Sequence, residues 1–365
     1  RDAQVPAACV AGLGGVEVSL FMHAADAAQP QALRRLVVGL VLLTLLAMAL
    51  SLSVGSQGWE PLLFEAQWPT AQEGEMSSLQ AMAHQILWEI RLPRTLGTWL
   101  AGALLGLSGA LAQGLFRNPL ADPYLLGSSS GAALGVALCM AAFGLSPMGM
   151  AWWGRMGLTG AAFVGGLLAV LLTLLLARGV AHTLRLLLAG VVVGVVLGAL
   201  SAMTMLLVPD IMRPMQAFML GTTGFLGWPA VAVMAPALAL TLCAALAGAR
   251  ALDALSLGDA VARSLGVPMA WVRAGLVLAL ALSTATAVAQ AGLVSFVGLV
   301  APHLVRARVV LTHGPLMALS AAMGGLLLLC ADTLARWCWA PQELPVGVLT
   351  AVMGGGYLLW RMHRS

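Results

Sequence analysis

Long apolar runs separated by short polar breaks dominate this chain. About 20 apolar residues in helical form cross roughly 30 Å of hydrocarbon. Lipid admits only elements whose backbone hydrogen bonds close within themselves. Ten runs meet or approach that length: 37–54, 95–116, 126–143, 158–177, 186–208, 230–249, 272–291, 294–305, 316–331 and 346–360. The eighth is short and interrupted by Pro302. Hydrophobic residues are 61% of the 365, and charged residues only 9%. An average soluble domain has about 25% charged residues, so this chain has too few to cover a water-facing globule. The expected fold is an all-α membrane protein of about ten transmembrane helices.

All 18 basic residues are arginine, and lysine is absent. This excludes a GxxxxGK[ST] phosphate loop, a Schiff-base lysine and a lysine dyad from the chain. The arginines stand singly or in pairs, so a pI near 9.1 does not point to nucleic acid. Their placement does test orientation, because cytoplasmic flanks collect positive charge. With the N-terminus inside, and Arg1 set aside with the N-terminal extension, twelve arginines fall on the cytoplasmic side. Five fall outside: Arg91, Arg94, Arg155, Arg213 and Arg336. Both termini are therefore expected to be cytoplasmic.

Two polar segments stand out. Residues 56–90 carry five glutamates with Trp59, Trp68 and Trp88, and tryptophan suits a membrane–water interface; a periplasmic segment is expected. Residues 250–271 read as an amphipathic cytoplasmic loop. Residues 1–33 read as an N-terminal extension, disordered or partly non-native, ahead of a ten-helix domain over 34–365. Met22 opens a stretch that reads like a natural start. Five cysteines lack any CxxC spacing, and buried small side chains are the expected role of the four in or beside apolar stretches. Gly102 and Gly106 share a helix face, as do Gly190, Gly194 and Gly198. Such faces let helix backbones approach closely in lipid; lining a path is the other reading.

Four motifs occur in order: RLPRTLG…FRNPLADPYLLG within 91–135, AGLVSFVGLVAPHLVR over 291–306, ADTLARW over 331–337 and ELPVGVLTAVMGG over 343–355. Together they resemble the membrane permease of binding-protein-dependent ABC importers for iron–siderophores, haem and cobalamin, from about Leu33 to Met362. One departure is Gly354-Gly355-Gly356-Tyr357, where the family has Gly-small-Pro and an aromatic. The resemblance implies a homodimer with two ATP-binding subunits below and a periplasmic substrate-binding protein above. No cofactor is expected in the chain itself; ATP and Mg are used by the partner ATPase. Haem is the expected cargo, with ferric siderophore and cobalamin as alternatives. An ion-coupled secondary transporter and a membrane-embedded enzyme are the readings from other classes.

The resemblance also implies roles for residues. Arg91, Arg94 and Arg336 would form an outer cationic patch that receives acidic residues of the binding protein; facing lipid phosphates is the alternative. Leu255, Leu257, Gly258, Asp259, Val261 and Arg263 would couple to the ATPase as a helix in a groove, against an ordinary amphipathic loop. From residue chemistry alone, Met203, Met205, Met215 and Met219 offer flexible thioethers for a translocation path, against core filling. Asn118-Pro119 and Pro123 fit gating or a plain turn. His84 and His303 are weak candidates for haem contact, and no metal site is expected.

Overall fold

The computed structural model describes residues 15–55, 58–59, 78–144, 152–177, 183–258, 262, 264 and 269–364. Each of the ten apolar runs is helical. The helices are α1 Gly15–Ser53, α2 Ser78–Ile86, α3 Leu92–Phe116, α4 Ser128–Phe143, α5 Trp152–Leu176, α6 Thr183–Leu207 and α7 Met212–Leu220, then α8 Trp228–Ser256, α9 Met269–Ala291, α10 Val297–Arg306, α11 His313–Trp337 and α12 Val346–Arg364. Among the described residues the β structure is one short ribbon, Val54–Gly55 paired antiparallel with Gly58–Trp59. Among the described residues, seven helical stretches are long and apolar enough to cross a membrane, and α4 and α10 are shorter apolar helices. Ten residues of α10 rise only about 15 Å, half a crossing.

α1 begins at Gly15, so helix extends into the stretch expected to be a loose extension. The second span also begins earlier than expected. α2 runs through a π turn, Leu87–Arg91, directly into α3. Pro93 explains the π turn. A proline inside a helix lacks its N–H and crowds the carbonyl four residues back. Widening the turn relieves that crowding, and Leu92 N–H reaches back to Leu87 O.

α3 is the axis of the bundle. Every residue from Ala101 to Phe116 is buried, as a helix that is apolar all round requires. α11, α9, α8 and α10 surround it. Two close crossings run antiparallel: on α3 and α11 Gly102 abuts Gly324 and Gly106 abuts Ser320, and on α4 and α5 Gly131 abuts Gly165 and Gly135 abuts Ala161. The glycine face of α3 thus serves tight packing within the chain. A Cβ at Gly106 would lie 2.1 Å from the Ser320 carbonyl.

The break after α3 is a built turn. Arg117 takes the left-handed conformation at φ 49°. Asn118 Oδ1 accepts from Leu120 N–H at 2.9 Å, and Asp122 Oδ1 accepts from Tyr124 N–H at 2.8 Å to open a 3-10 turn. Pro302 lies inside α10 rather than interrupting it. It leaves the carbonyl of Gly298 without its usual donor, and that carbonyl faces Gly109 of α3 so closely that a Cβ there would sit 1.7 Å away.

Candidate functional site

Antiparallel order gives the bundle two polar ends. At the first, α1, α9 and α11 finish and α3 and α8 begin. Asp332, on the last turns of α11, has a side chain only 1% exposed. An isolated buried carboxylate is costly and must be paired. Arg94 Nη2 donates to its Oδ1 at 2.9 Å, Arg336 Nη2 lies 3.0 Å from Oδ2, and Thr223 Oγ1 also donates to Oδ1. Arg94 in addition holds Glu343 through two parallel bonds, each 2.9 Å. Two guanidiniums and two carboxylates balance to zero charge.

The same end closes over α1. The last carbonyls of a helix lack partners within it. Arg336 donates to the carbonyls of Ser51 and Val54 and to Ser51 Oγ, and Arg91 donates to the Leu52 carbonyl at 3.0 Å. Ser51 Oγ and Thr95 Oγ1 share a further bond at 2.9 Å. The expected outward patch is therefore corrected. Arg91, Arg94 and Arg336 do gather at one end, but Arg91 and Arg336 are only 5% and 3% exposed and turn inward. Orphan carbonyls and a buried carboxylate draw them there. Asp332, Glu343 and Thr223 complete the cluster and were not singled out from sequence. The Asp332–Arg336 pair at i,i+4 in an apolar helix was a usable signal.

Beside this cluster opens a cavity of about 1110 Å³ between the ends of α4, α5, α7, α8 and α9. Its volume is above the usual range for small-ligand pockets, roughly 300–1,000 Å³. Met140, Leu158 and Phe218 give it apolar walls, while Asp210, Arg213 and Gln290 supply polar groups. Gln290 Nε2 is buried there without a partner. The four expected path methionines do not line it. Met215 is fully buried in a cluster with Ile211 and Val288, and Met205 packs against that cluster. Met203 and Met219 are exposed, on α6 and α7. The methionines in the wall are Met140 and Met156, which no sequence pattern distinguished.

At the opposite end Asp253 of α8 accepts from the backbone N–H of His313 at 2.9 Å, and its Oδ1 lies 2.6 Å from His313 Nδ1. A carboxylate at the first residue of α11 suits the positive end of that helix. Gln113 Nε2 donates to the Leu299 carbonyl at 3.1 Å, and Arg306 Nη1 donates to Gln113 Oε1. Of the expected coupling residues, Leu255 is 1% exposed and belongs to the core. It faces inward because α8 continues regularly to Ser256, so this expectation is corrected. Leu257 is 68% exposed, and Gly258 takes φ 111°, as a turn out of the helix needs. Asp259, Val261 and Arg263 lie outside the described residues.

His84 is exposed, and His303 stands edge-on to Tyr357 with ring centroids 5.8 Å apart. Among the described residues no three His, Cys, Asp or Glu side chains stand close enough to hold a metal ion.

Comparison with known proteins bears on all of this. The model of the FecCD transport family matches residues 36–364. The hemin transport system permease protein HmuU of Yersinia pestis is 39% identical over 335 residues, covering 91% of this chain and 96% of that protein. The vitamin B12 import system permease protein BtuC of Klebsiella pneumoniae is 37% identical over 334 residues, covering 91% and 94%. A solved metal-chelate type ABC transporter in an inward-facing conformation superposes with a TM-score of 0.77 at 27% identity, covering 92% of this chain and all of that one.

Proposed function

The chain belongs to the FecCD transport family and is an ABC importer permease, and on that premise we propose that it moves haem across the bacterial inner membrane. Haem leads because the haem-permease relative shares 39% of its residues. Cobalamin is the second reading, favoured by cobalamin-permease relatives at 37–38%. The observation that carries the permease reading is a family match that spans residues 36–364.

In this reading the termini are cytoplasmic and two copies pair in the membrane. Two ATP-binding subunits dock at the Asp253–His313 end, and a periplasmic binding protein docks at the Arg94 end. The arginine-only basic set supports a separate ATPase, since this chain has no phosphate loop. Arg94 is the docking arginine nearest the surface, with Arg91 and Arg336 holding its surroundings in place. Leu257 and Gly258, with the adjoining Asp259, Val261 and Arg263, engage the ATPase. The cavity beside Gln290 is an outer vestibule for a bulky, mostly apolar cargo.

Proteoliposomes holding permease and ATPase, supplied with the loaded binding protein, test this. ATP-dependent uptake of haem above cobalamin and ferric siderophore is expected. Uptake of cobalamin alone would replace the haem assignment with the second reading.

A further inference from the structure

Arg94 meets two carboxylates of different standing. Asp332 is sealed inside, whereas the Glu343 side chain is 34% exposed. Both Glu343 oxygens bind Arg94 in the parallel two-bond geometry that suits guanidinium and carboxylate. Glu343 belongs to the connection between α11 and α12, which is otherwise tied down by Leu344 N–H on the Ala335 carbonyl at 3.2 Å. Three residues later α12 begins. Its first turn is wedged: a Cβ at Gly347 would lie 2.3 Å from the Leu220 carbonyl and 2.6 Å from that of Leu293. Leu220 ends α7, and Leu293 follows Gly292 in the cavity wall. One partly exposed ion pair thus sits on the same short connection that leads into α12, whose first turn packs on the end of α7 and on the residue after Gly292 of the cavity wall.

We propose that Glu343 is a built-in stand-in for an acidic residue of the docking protein, and that docking exchanges one carboxylate for the other on Arg94. This rests on the docking reading given above and adds what that reading lacks, an internal competitor. Three features favour exchange at this pair. Arg94 keeps Asp332 throughout, so its charge is never left unpaired. Glu343 is the partly solvated partner, and an exposed pair is weakly held. An incoming carboxylate reproduces the bonds it displaces. Once displaced, Glu343 no longer tethers the 338–345 connection, and the first turn of α12 loses that restraint.

A site closed by its own surrogate binds a partner more weakly, in proportion to the fraction of time it stands open. The test uses the complete importer, permease with ATPase subunits in lipid nanodiscs, and the purified binding protein that delivers its substrate. Glu343→Gln should tighten docking roughly two- to fivefold, the range of an exposed ion pair. Arg94→Ala should weaken docking in both backgrounds. Backbone amides over 343–349 should exchange hydrogen faster in Glu343→Gln, and in the parent on docking. Unchanged or weaker docking of Glu343→Gln, with Arg94→Ala still harmful, overturns the exchange and leaves the docking reading standing. Unchanged docking of a folded Arg94→Ala importer overturns both. Unaltered amide exchange over 343–349 on docking overturns the release of α12.

Discussion

A carboxylate buried between two guanidiniums is stable only while its partners remain, because each charge has given up its water. Asp332 is in that position, with Arg94 and Arg336 on either side and a Thr223 hydroxyl on one oxygen. Asp332→Ala is therefore expected to destabilise the subunit by about 3–5 kcal/mol, read as a large fall in the melting temperature of the detergent-solubilised protein. Wild-type melting in that variant would mean that the cluster is not needed for stability. Asp122 makes the opposite case. It sits in the turn between α3 and α4, where burial pushes its carboxyl above the usual value while the Tyr124 N–H pulls it down less strongly. A carboxyl raised in the folded state contributes stability below its unfolded value, about 3.9, and loses it as pH rises through the folded value. At neutral pH its charge is a net burden. Asn keeps the cap without the charge. Asp122→Asn should equal or exceed the parent in melting temperature at pH 7, and the difference should shrink or reverse toward pH 4. A variant less stable at pH 7 than at pH 4, relative to the parent, would contradict this. The pairing of Asp332 with Arg336 was legible as an i,i+4 pair in an apolar helix. Glu343 and Thr223 were not, because they arrive from connections whose path no local pattern encodes.

Elements meet here through backbone, and that makes some substitutions far costlier than composition suggests. On the α3–α11 crossing, Gly106 faces the Ser320 carbonyl with no room for a methyl group. Gly106→Ala should cost about 1–3 kcal/mol through forced separation of the two helices. Gly198 on α6 has only Ser130 Oγ nearby, at 3.8 Å, so Gly198→Ala should be neutral or gain up to about 1 kcal/mol from helix propensity. Thermal melts of the two variants check the contrast, and equal effects would show that the crossing is not tight. The glycine spacing was visible in both helices, yet it did not distinguish crowded positions such as Gly106 and Gly190 from the open Gly198, since crowding depends on what comes opposite. The two leucines at the end of α8 differ in the same way. Leu257→Asp should release the ATPase from a folded permease, whereas Leu255→Asp should disrupt the fold, because one is exposed and the other buried. Copurification of ATPase with a folded Leu257→Asp permease would place coupling elsewhere. The all-helical character was legible because lipid forces each span into one apolar run, and seven described helices are long and apolar enough to cross. The start of the second span was not. Glu89, Arg91 and Pro93 read as a boundary, and only the π turn lets the helix continue through them.

For the molecule as a whole, the placement of its acids decides what can drive it. Transporters coupled to protons commonly carry Asp, Glu or His side chains within the membrane as a relay. From residue 31 onward the described carboxylates stand at the ends of the bundle: Glu89, Asp210, Asp332 and Glu343 at one, Asp122 and Asp253 at the other. The most deeply buried, Asp332, is held by two arginines, and a guanidinium does not give up its proton in a protein. The outward-facing surfaces of α1 and α6 are apolar, with Leu42, Leu45, Val192 and Val195 all exposed, as lipid or a second copy requires. The family match points instead to work supplied by a partner ATPase. Proteoliposomes with the permease alone should therefore take up no cargo under a pH or sodium gradient. Adding ATPase, ATP and the loaded binding protein should start uptake. Raising salt should slow it at subsaturating binding protein, since rim charges act mainly on encounter. Gradient-driven uptake by the permease alone would overturn this account. Uptake insensitive to salt under those conditions would move the docking surface away from Arg94.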